Sequence, residues 1–333
     1  MGLLRRGEWH TDWYDTETTE GEFQREDAGF RDWVVSPDGV GPADAQTWPA
    51  ASGRYHLIVS LACPWAHRTL IFRRLKGLES HVGVSVVDAE MLENGWTFSG
   101  SFPGNLDPLH GVKHLYQLYQ RARADYTGRV TVPVLWDRER DTIVSNESAD
   151  IIRMFNSSFD VLTGNRLDFY PEPLRARIDE INAFVYENIN NGVYRSGFAT
   201  TQSAYERAFE ALFAALDRIE ARLAVQRYLV GDILTEADWR LFTTLVRFDA
   251  VYVGHFKCNR QRIEDYPALS NYLRDLYQLP GVADTVNMDH IKTHYYYSHD
   301  MINPTRVVPR GPVLALDRPH DRDRLGPAPD WAR

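Results

Sequence analysis

A short apolar run, Tyr55-His56-Leu57-Ile58-Val59-Ser60, ends at the junction Leu61-Ala62-Cys63-Pro64-Trp65-Ala66-His67-Arg68. Beyond it Ala66, Leu70, Ile71, Arg74 and Leu75 recur three and four residues apart. The run reads as a buried strand and the spacing as an amphipathic helix. Val82-Gly83-Val84-Ser85-Val86-Val87 is a second strand. Strand, helix, strand in this order is a βαβ unit, so the two strands must run parallel with the helix against their sheet.

The next segments of the chain extend that unit. Residues 88–129 are rich in Gly, Asn and aromatics, with a helical pattern over 112–126. Val132-Pro133-Val134-Leu135-Trp136-Asp137 is a third strand with Pro near its start. Thr142-Ile143-Val144-Ser145 is a fourth, reached by a tight charged turn. Asn146-Glu147-Ser148-Ala149-Asp150-Ile151-Ile152 then opens a helix. The order β-α-β-(insert)-β-β-α is that of a thioredoxin-like sheet. The second half is helical. Tyr205, Ala208, Phe209, Leu212, Phe213, Leu216, Ile219 and Leu223 form a long apolar stripe. Thr235-Glu236-Ala237-Asp238 has the chemistry of a capping box, flanked by Leu234 and Trp239 as a hydrophobic staple. The fold class expected is α/β plus all-α: a thioredoxin-like N-terminal domain with an insert, then an all-helical domain. The expected divisions are an irregular extension over 1–50, the sheet domain over 51–165, the helical domain over 172–300 and an arm over 301–333. Pro171 and Pro173 mark the linker.

Composition narrows the function. The 333 residues carry 37 basic and 46 acidic side chains, a net charge of −9. With no long Lys/Arg run, nucleic acid and anionic membrane surfaces are poor partners. No window approaches the ~18 apolar residues of a membrane span. The N-terminal residues carry no signal-peptide pattern, and Arg6 stands where a myristoylation signal needs Ser or Thr. A cytoplasmic location is expected. Two cysteines, Cys63 and Cys258, are too few for a disulfide framework or a four-thiolate zinc site. His290, His294 and His299 have no carboxylate pattern beside them, so no metal is expected.

The two thiols differ. Cys63 stands between a strand and a helix, where backbone N–H groups and the helix dipole stabilise an anion. Thiols so placed reach pKa values of ~3.5–7.5. Pro64 in the first helical turn forfeits no hydrogen bond. Ala66 occupies the place of a second cysteine in a C-x-x-C motif, so a mixed disulfide on Cys63 needs an external thiol to resolve it. The plainer alternative is a space-filling buried cysteine, and for Cys258 that reading is preferred.

The Cys63-Pro64-Trp65-Ala66-His67-Arg68, Val132-Pro133-Val134 and Asn146-Glu147-Ser148-Ala149-Asp150 segments resemble the glutathione site of a glutathione transferase. Gly95-Trp96-Thr97-Phe98, Asn191-Gly192-Val193-Tyr194, Arg247-Phe248-Asp249-Ala250-Val251-Tyr252, His294-Tyr295-Tyr296 and Ser298-His299-Asp300-Met301-Ile302-Asn303-Pro304 narrow the resemblance to the glutathionyl-hydroquinone reductases, the Xi class. It spans nearly the whole chain.

The resemblance implies glutathione as cosubstrate and a cis Val132–Pro133 bond that offers the Val132 backbone to the cysteinyl part of glutathione. It implies Ser148 and the helix start for the γ-glutamyl carboxylate, Glu147 for its ammonium, and Trp96 and Arg129 over the tripeptide. It also implies that Tyr194, Tyr252 and Tyr295 or Tyr296 hold a phenolic ring near Cys63, in a homodimer acting on glutathionyl-hydroquinones. Each residue has a plainer role too: Glu147-Ser148 as a helix cap, Trp96 as core, each tyrosine as packing. Competing activities are a broader omega-like thioltransferase or dehydroascorbate reductase, a conjugating transferase, and a non-enzymatic binding module.

Overall fold

The computed structural model describes residues 2–332. Its contacts divide the chain into two units that are not contiguous in sequence. The first holds the chain up to Trp13, Arg25–Asp168 and Asn287–Ser298; the second holds Tyr14–Gln24, Phe169–Val286 and the chain from His299 onward.

The first unit begins with β1 (Leu3–Arg5), β2 (Glu8–His10), β3 (Trp33–Val35) and β4 (Thr47–Pro49). The βαβ unit comes next as β5 (Tyr55–Val59), α1 (Pro64–Leu75) and β6 (Gly83–Val86). The insert carries α2 (Leu115–Ala122) and β7 (Gly128–Arg129), and then come β8 (Val134–Asp137), β9 (Thr142–Ser145), α3 (Ser148–Ser157) and α4 (Asp160–Thr163). The main sheet has the order β6-β5-β8-β9. β5 runs parallel to β6 and antiparallel to β8, and all five of its residues are buried. This is the thioredoxin-like order expected.

Residues 1–50 differ from the irregular extension expected. β1 pairs with β2 and β7 in a three-stranded sheet, and β3 pairs with β4 in parallel. Strands of three residues are too short to show alternation, and β1 meets β7 across more than a hundred residues of chain.

The second unit holds α5 (Arg175–Val185), α6 (Gly192–Phe198), α7 (Gln202–Leu223), α8 (Glu236–Arg247) and α9 (Pro267–Gln278). Wider π turns at Tyr186–Asn190 and Phe248–Tyr252 precede α6 and follow α8. α7 buries Leu212, Phe213, Leu216, Ile219 and Leu223, each such side chain contributing about 2 kcal/mol, whereas Tyr205, Ala208 and Phe209 at the N-terminal end of the expected stripe are half-buried. The arm beyond His299 is anchored at α7. Buried Arg322 donates to the carbonyls of Leu223, Gln226 and Arg227 at 2.6–2.7 Å, satisfying helix-end acceptors. Buried Arg227 pairs with Asp275 and with Asp323 of the arm, each at 2.7 Å.

α10 (Met288–Ser298) packs within the first unit. Asn287 accepts the His290 N–H at 2.9 Å. His294 donates from Nδ1 to the Ala89 carbonyl at 2.9 Å, and Ser298 Oγ accepts the Met91 N–H at 2.9 Å. His290, His294 and Ser298 lie four residues apart, so one helix face makes this attachment.

The capping box of α8 is formed as expected. Asp238 is fully buried and accepts from the Thr235 N–H, the Leu229 N–H and the Tyr272 hydroxyl, each at 2.8 Å. Asp238→Ala leaves those donors without an acceptor and is expected to cost about 3 kcal/mol. Thr235→Ala, which removes a single cap, is expected to cost about 1 kcal/mol, both read as shifts in urea midpoint. Burial pushes the Asp238 carboxyl up to about 6. The folded chain therefore holds this proton more tightly than the unfolded chain, whose carboxyl titrates near about 4. The group's contribution to stability falls as pH rises from about 4 to about 6. Asp238→Asn should flatten that part of the stability–pH curve, and an unchanged slope would assign it to other groups.

Candidate active site

The pairing of the main sheet decides what meets Cys63. Ile58 of β5 stands opposite Val134 of β8. Because the pair is antiparallel, Val132 runs past the C-terminal end of β5, where Cys63 stands. β9 returns antiparallel to β8, so α3 starts at that same edge.

At the junction the Cys63 N–H donates to the Ser60 carbonyl at 3.2 Å, and the Ala62 N–H donates to Ser60 Oγ at 3.2 Å. Cys63 is the extended N-cap of α1 and its carbonyl accepts the His67 N–H at 2.9 Å. Pro64 takes the first helical position. The half-buried thiol donates to the Val132 carbonyl at 3.4 Å. The Val132–Pro133 bond is cis, as expected.

Glu147 is the N-cap of α3 and accepts the Ala149 N–H at 2.8 Å. The capping role is therefore present. Buried Ser148 accepts from Arg68 Nη1 at 3.4 Å. Arg68 is 2% exposed, and sequence reasoning alone misses it. Its guanidinium lies 4.6 Å from the Trp65 ring centroid, and that of Arg25 lies 4.8 Å from the same ring. The available signal is an arginine one turn beyond Trp65 on a largely buried helix. Arg25 gives none, because it reaches the ring through tertiary packing.

Trp96 is buried and stacks on His294, with ring centroids 4.8 Å apart. Its Nε1 has no hydrogen-bond partner among the described residues. The turn before it is held by Trp9, which donates to the Glu93 carbonyl at 3.0 Å. Gly95 has φ +65°, and a Cβ there would come 2.8 Å from the Trp9 ring. Arg129 meets a carboxylate of the protein itself: Nε donates to Glu26 at 3.1 Å. Its other two nitrogens donate to the carbonyls of Asp12 and Trp13 at 2.6 and 2.9 Å. Arg129 thus pins the N-terminal segment, a task with no local signal in the sequence.

The tyrosines fall into two groups. Tyr194 and Tyr252 come together in the helical unit, with centroids 6.2 Å apart. Phe198 and Phe256 complete the cluster with Phe23. Gly197 is required there, since a Cβ would meet the Phe256 ring at 2.2 Å. Tyr295 and Tyr296 belong to α10 in the first unit; Tyr295 is fully buried and Tyr296 half-buried. His290 and His294 serve to seat α10, whereas His299 pairs with His255 at 3.2 Å in the helical unit. Cys258 is fully buried, and burial pushes its thiol up to about 12.

This edge of the sheet offers a nucleophilic sulfur at a helix N-terminus, a carbonyl for an extended peptide, and a second helix start bearing a hydroxyl, a carboxylate and a buried guanidinium. Those groups suit a thiol peptide with a free carboxylate and amine.

Comparison with known proteins agrees. Residues 62–158 match the family model for the glutathione S-transferase N-terminal domain, and 202–275 that for its C-terminal domain. The chain is 56% identical to the glutathionyl-hydroquinone reductase YqjG of Escherichia coli K12, over 97% of this chain and 99% of that one. It is 52% identical to the glutathionyl-hydroquinone reductase PcpF of Sphingobium chlorophenolicum, over 95% and 98%. The glutathione-bound structure of YqjG superposes with a TM-score of 0.89 at 54% identity, covering 97% of this chain and 99% of that one. A Xi-class glutathione transferase from Natrialba magadii superposes with a TM-score of 0.88 at 51% identity, covering 98% and 97%. A thioredoxin-like sheet with a cysteine at its first helix, an all-helical second unit and this likeness along the whole chain have one meaning: the protein belongs to the glutathionyl-hydroquinone reductases, the Xi class of the glutathione S-transferase superfamily.

Proposed function

We propose that this protein reduces glutathionyl-hydroquinones to hydroquinones using glutathione, with Cys63 as the nucleophile. The observation that carries the reading is the thiol of Cys63 at the N-terminus of α1, against the Val132 carbonyl, with Ala66 in place of a resolving cysteine.

The glutathionyl part of the substrate lies along Val132, which pairs with its cysteinyl backbone. Ser148 and Arg68 receive the γ-glutamyl carboxylate and Glu147 its ammonium. Trp96 covers the tripeptide, and Arg129 shapes that cover through the segment it pins. When the cysteinyl N–H of the ligand takes the Val132 carbonyl, the Cys63 proton loses its acceptor, which favours thiolate at the helix terminus.

The Cys63 thiolate attacks the glutathionyl sulfur. The bond between that sulfur and the ring carbon breaks, its electron pair passes to the carbon, and the carbon takes a proton. Tyr194, Tyr252 and Tyr295 or Tyr296 hold the phenolic oxygens and supply that proton. Hydroquinone leaves and Cys63 carries a disulfide to glutathione. The thiolate of a second glutathione attacks this disulfide, releasing oxidised glutathione and restoring Cys63. Two sulfurs are oxidised and one carbon is reduced, so the electrons balance. The proposal includes a homodimer working in the reducing cytoplasm. Its two free thiols suit that compartment, and no helix among the described residues is long and apolar enough to cross a membrane.

Cys63→Ser is expected to lose all but ~1% of turnover with a glutathionyl-hydroquinone, and activity above ~10% of wild type would remove Cys63 as nucleophile. Intact-mass analysis after glutathione disulfide treatment at neutral pH should show one glutathione, on Cys63. Modification of Cys258 alone would overturn the assignment. Tyr194→Phe and Tyr252→Phe should each lower hydroquinone release by about tenfold or more while leaving reduction of the preformed Cys63 disulfide unchanged. Faster turnover of dehydroascorbate or a simple mixed disulfide would instead favour the omega-like activity.

A further inference from the structure

Residues Tyr14–Gln24 belong to the helical unit, although the chain on either side of them belongs to the sheet unit. The segment is folded on itself. Asp15 accepts the Glu17 and Thr18 N–H groups at 2.9 and 3.2 Å. The Gly21 N–H donates to the Thr16 carbonyl at 2.8 Å, and Thr19 Oγ1 donates to the Glu22 carbonyl at 2.6 Å. In the first unit a single guanidinium, that of Arg129, holds Asp12 and Trp13 just before the segment and Glu26 just after it. A loop with its ends drawn together and its own side chains packed beneath it has the form of an Ω loop.

The loop docks at the start of α7. The Thr200 N–H donates to the Gly21 carbonyl at 3.1 Å, and Thr201 Oγ1 donates to the Glu20 carbonyl at 3.0 Å. Gly21 has φ +90°, and a Cβ there would come 2.5 Å from Thr201 Oγ1. Arg207 Nη2 donates to Glu22 at 2.7 Å, an exposed pair of small worth by itself. The backbone bonds and the fit of Gly21 fix the register, and Phe23 two residues on is buried. Its ring meets Tyr14 edge-on at 4.6 Å between centroids, Phe198 at 5.4 Å and Tyr194 at 6.3 Å. Phe198, Tyr252 and Phe256 flank Tyr194 from α6 and from the chain that follows α8. Phe23 reaches it from outside the helices.

The last torsion of a tyrosine side chain is broad and has no staggered well to hold the ring. What packs on the ring therefore decides where its hydroxyl points. A misplacement of about 1 Å at a reacting group can cost about 100-fold in rate. We infer that Phe23, carried by this loop, is a positioning residue: it fixes the ring of Tyr194 so that the hydroxyl meets a phenolic oxygen of the hydroquinone, a role that rests on the one proposed for Tyr194. Phe23 touches Tyr194 and acts through it.

The test is a double-mutant cycle on the full-length protein, with two rates measured: hydroquinone release from glutathionyl-benzohydroquinone, and reduction of the preformed Cys63–glutathione disulfide by glutathione. Phe23→Ala should slow hydroquinone release by about fivefold or more and leave disulfide reduction unchanged. In a Tyr194→Phe background the same substitution should add less than about twofold, since coupled residues are not additive. Gly21→Ala, which forces the loop away from Thr201, should give the same loss with the same dependence on Tyr194. If Phe23→Ala does not fold, Phe23→Leu carries the cycle, keeping apolar bulk and losing the flat ring. A wild-type rate of release in the folded Phe23 variant would overturn the inference. So would the full loss repeated on Tyr194→Phe, which would make Phe23 plain packing, or an equal loss in both rates, which would mark general damage to the fold. Those results leave the role of Tyr194 standing if Tyr194→Phe is itself slow; a Tyr194→Phe enzyme as fast as wild type would overturn both.

Discussion

Backbone hydrogen bonds on both edges of β5 are the constraint on which the candidate site depends. A strand bonded to β6 on one side and β8 on the other has little freedom to shift, since a slip of one residue would turn its buried side chains over. Its C-terminal end thus gives Cys63 a defined position. The antiparallel partner β8 brings Val132 to that end, and the next antiparallel step brings Glu147 and Ser148 there at the start of α3. Three segments separated by up to 85 residues reach one sheet edge because strand direction requires it. Their polarities then agree: two helix N-termini and a buried guanidinium lie at one edge, an electropositive setting that favours anions.

Local chemistry in each unit is refined by groups that make no contribution to the fold pattern itself. In the first unit Trp9 and Gly95 shape the turn before Trp96, and Arg129 holds the N-terminal segment. In the second, a π turn ends at Tyr252 and another precedes α6, which carries Tyr194. A π turn changes the angular register of the residues after it, which is why such turns recur at functional positions. The close approach of Gly197 to Phe256 then allows the two tyrosines to meet. The same unit ties its C-terminal arm through Arg227 and Arg322, both buried. A buried ion pair is weak support for stability by its presence alone, but removing one partner is severe. The arm is consequently a part of the unit rather than a loose tail.

Legibility in the sequence depends on distance along the chain. The strand-to-helix junction at Cys63, the strand at Thr142–Ser145 and the capping box at Thr235 to Asp238 depend on neighbours within a few residues, and each is readable. The cis bond at Val132 and the meeting of Tyr194 with Tyr252 come through the family resemblance, not through periodicity. Arg129 shows the limit. Its residue type signals a carboxylate partner, and it has one, but the partner is Glu26, 103 residues away. Arg68 escapes notice because a basic residue on a helix is ordinarily solvent-exposed; only the packing of α1 on α3 buries it beside Ser148.

The amino-acid sequence by itself determined the class of the fold, the order of strands and helices in the main sheet domain, and the cysteine that stands at the first helix. Those result from hydrophobic period, capping chemistry and turn residues, all of which act over short stretches of chain. Tertiary structure alone decided that Leu3–Arg5 and Glu8–His10 form strands, that α10 belongs with the sheet, that Arg129 serves the protein's own N-terminal segment, and that Arg274 is buried with its Nε unmatched among the described residues. Each of these is a pairing between residues far apart in the chain, and such a pairing is selected by the energy of the whole packed unit, to which no short window has access.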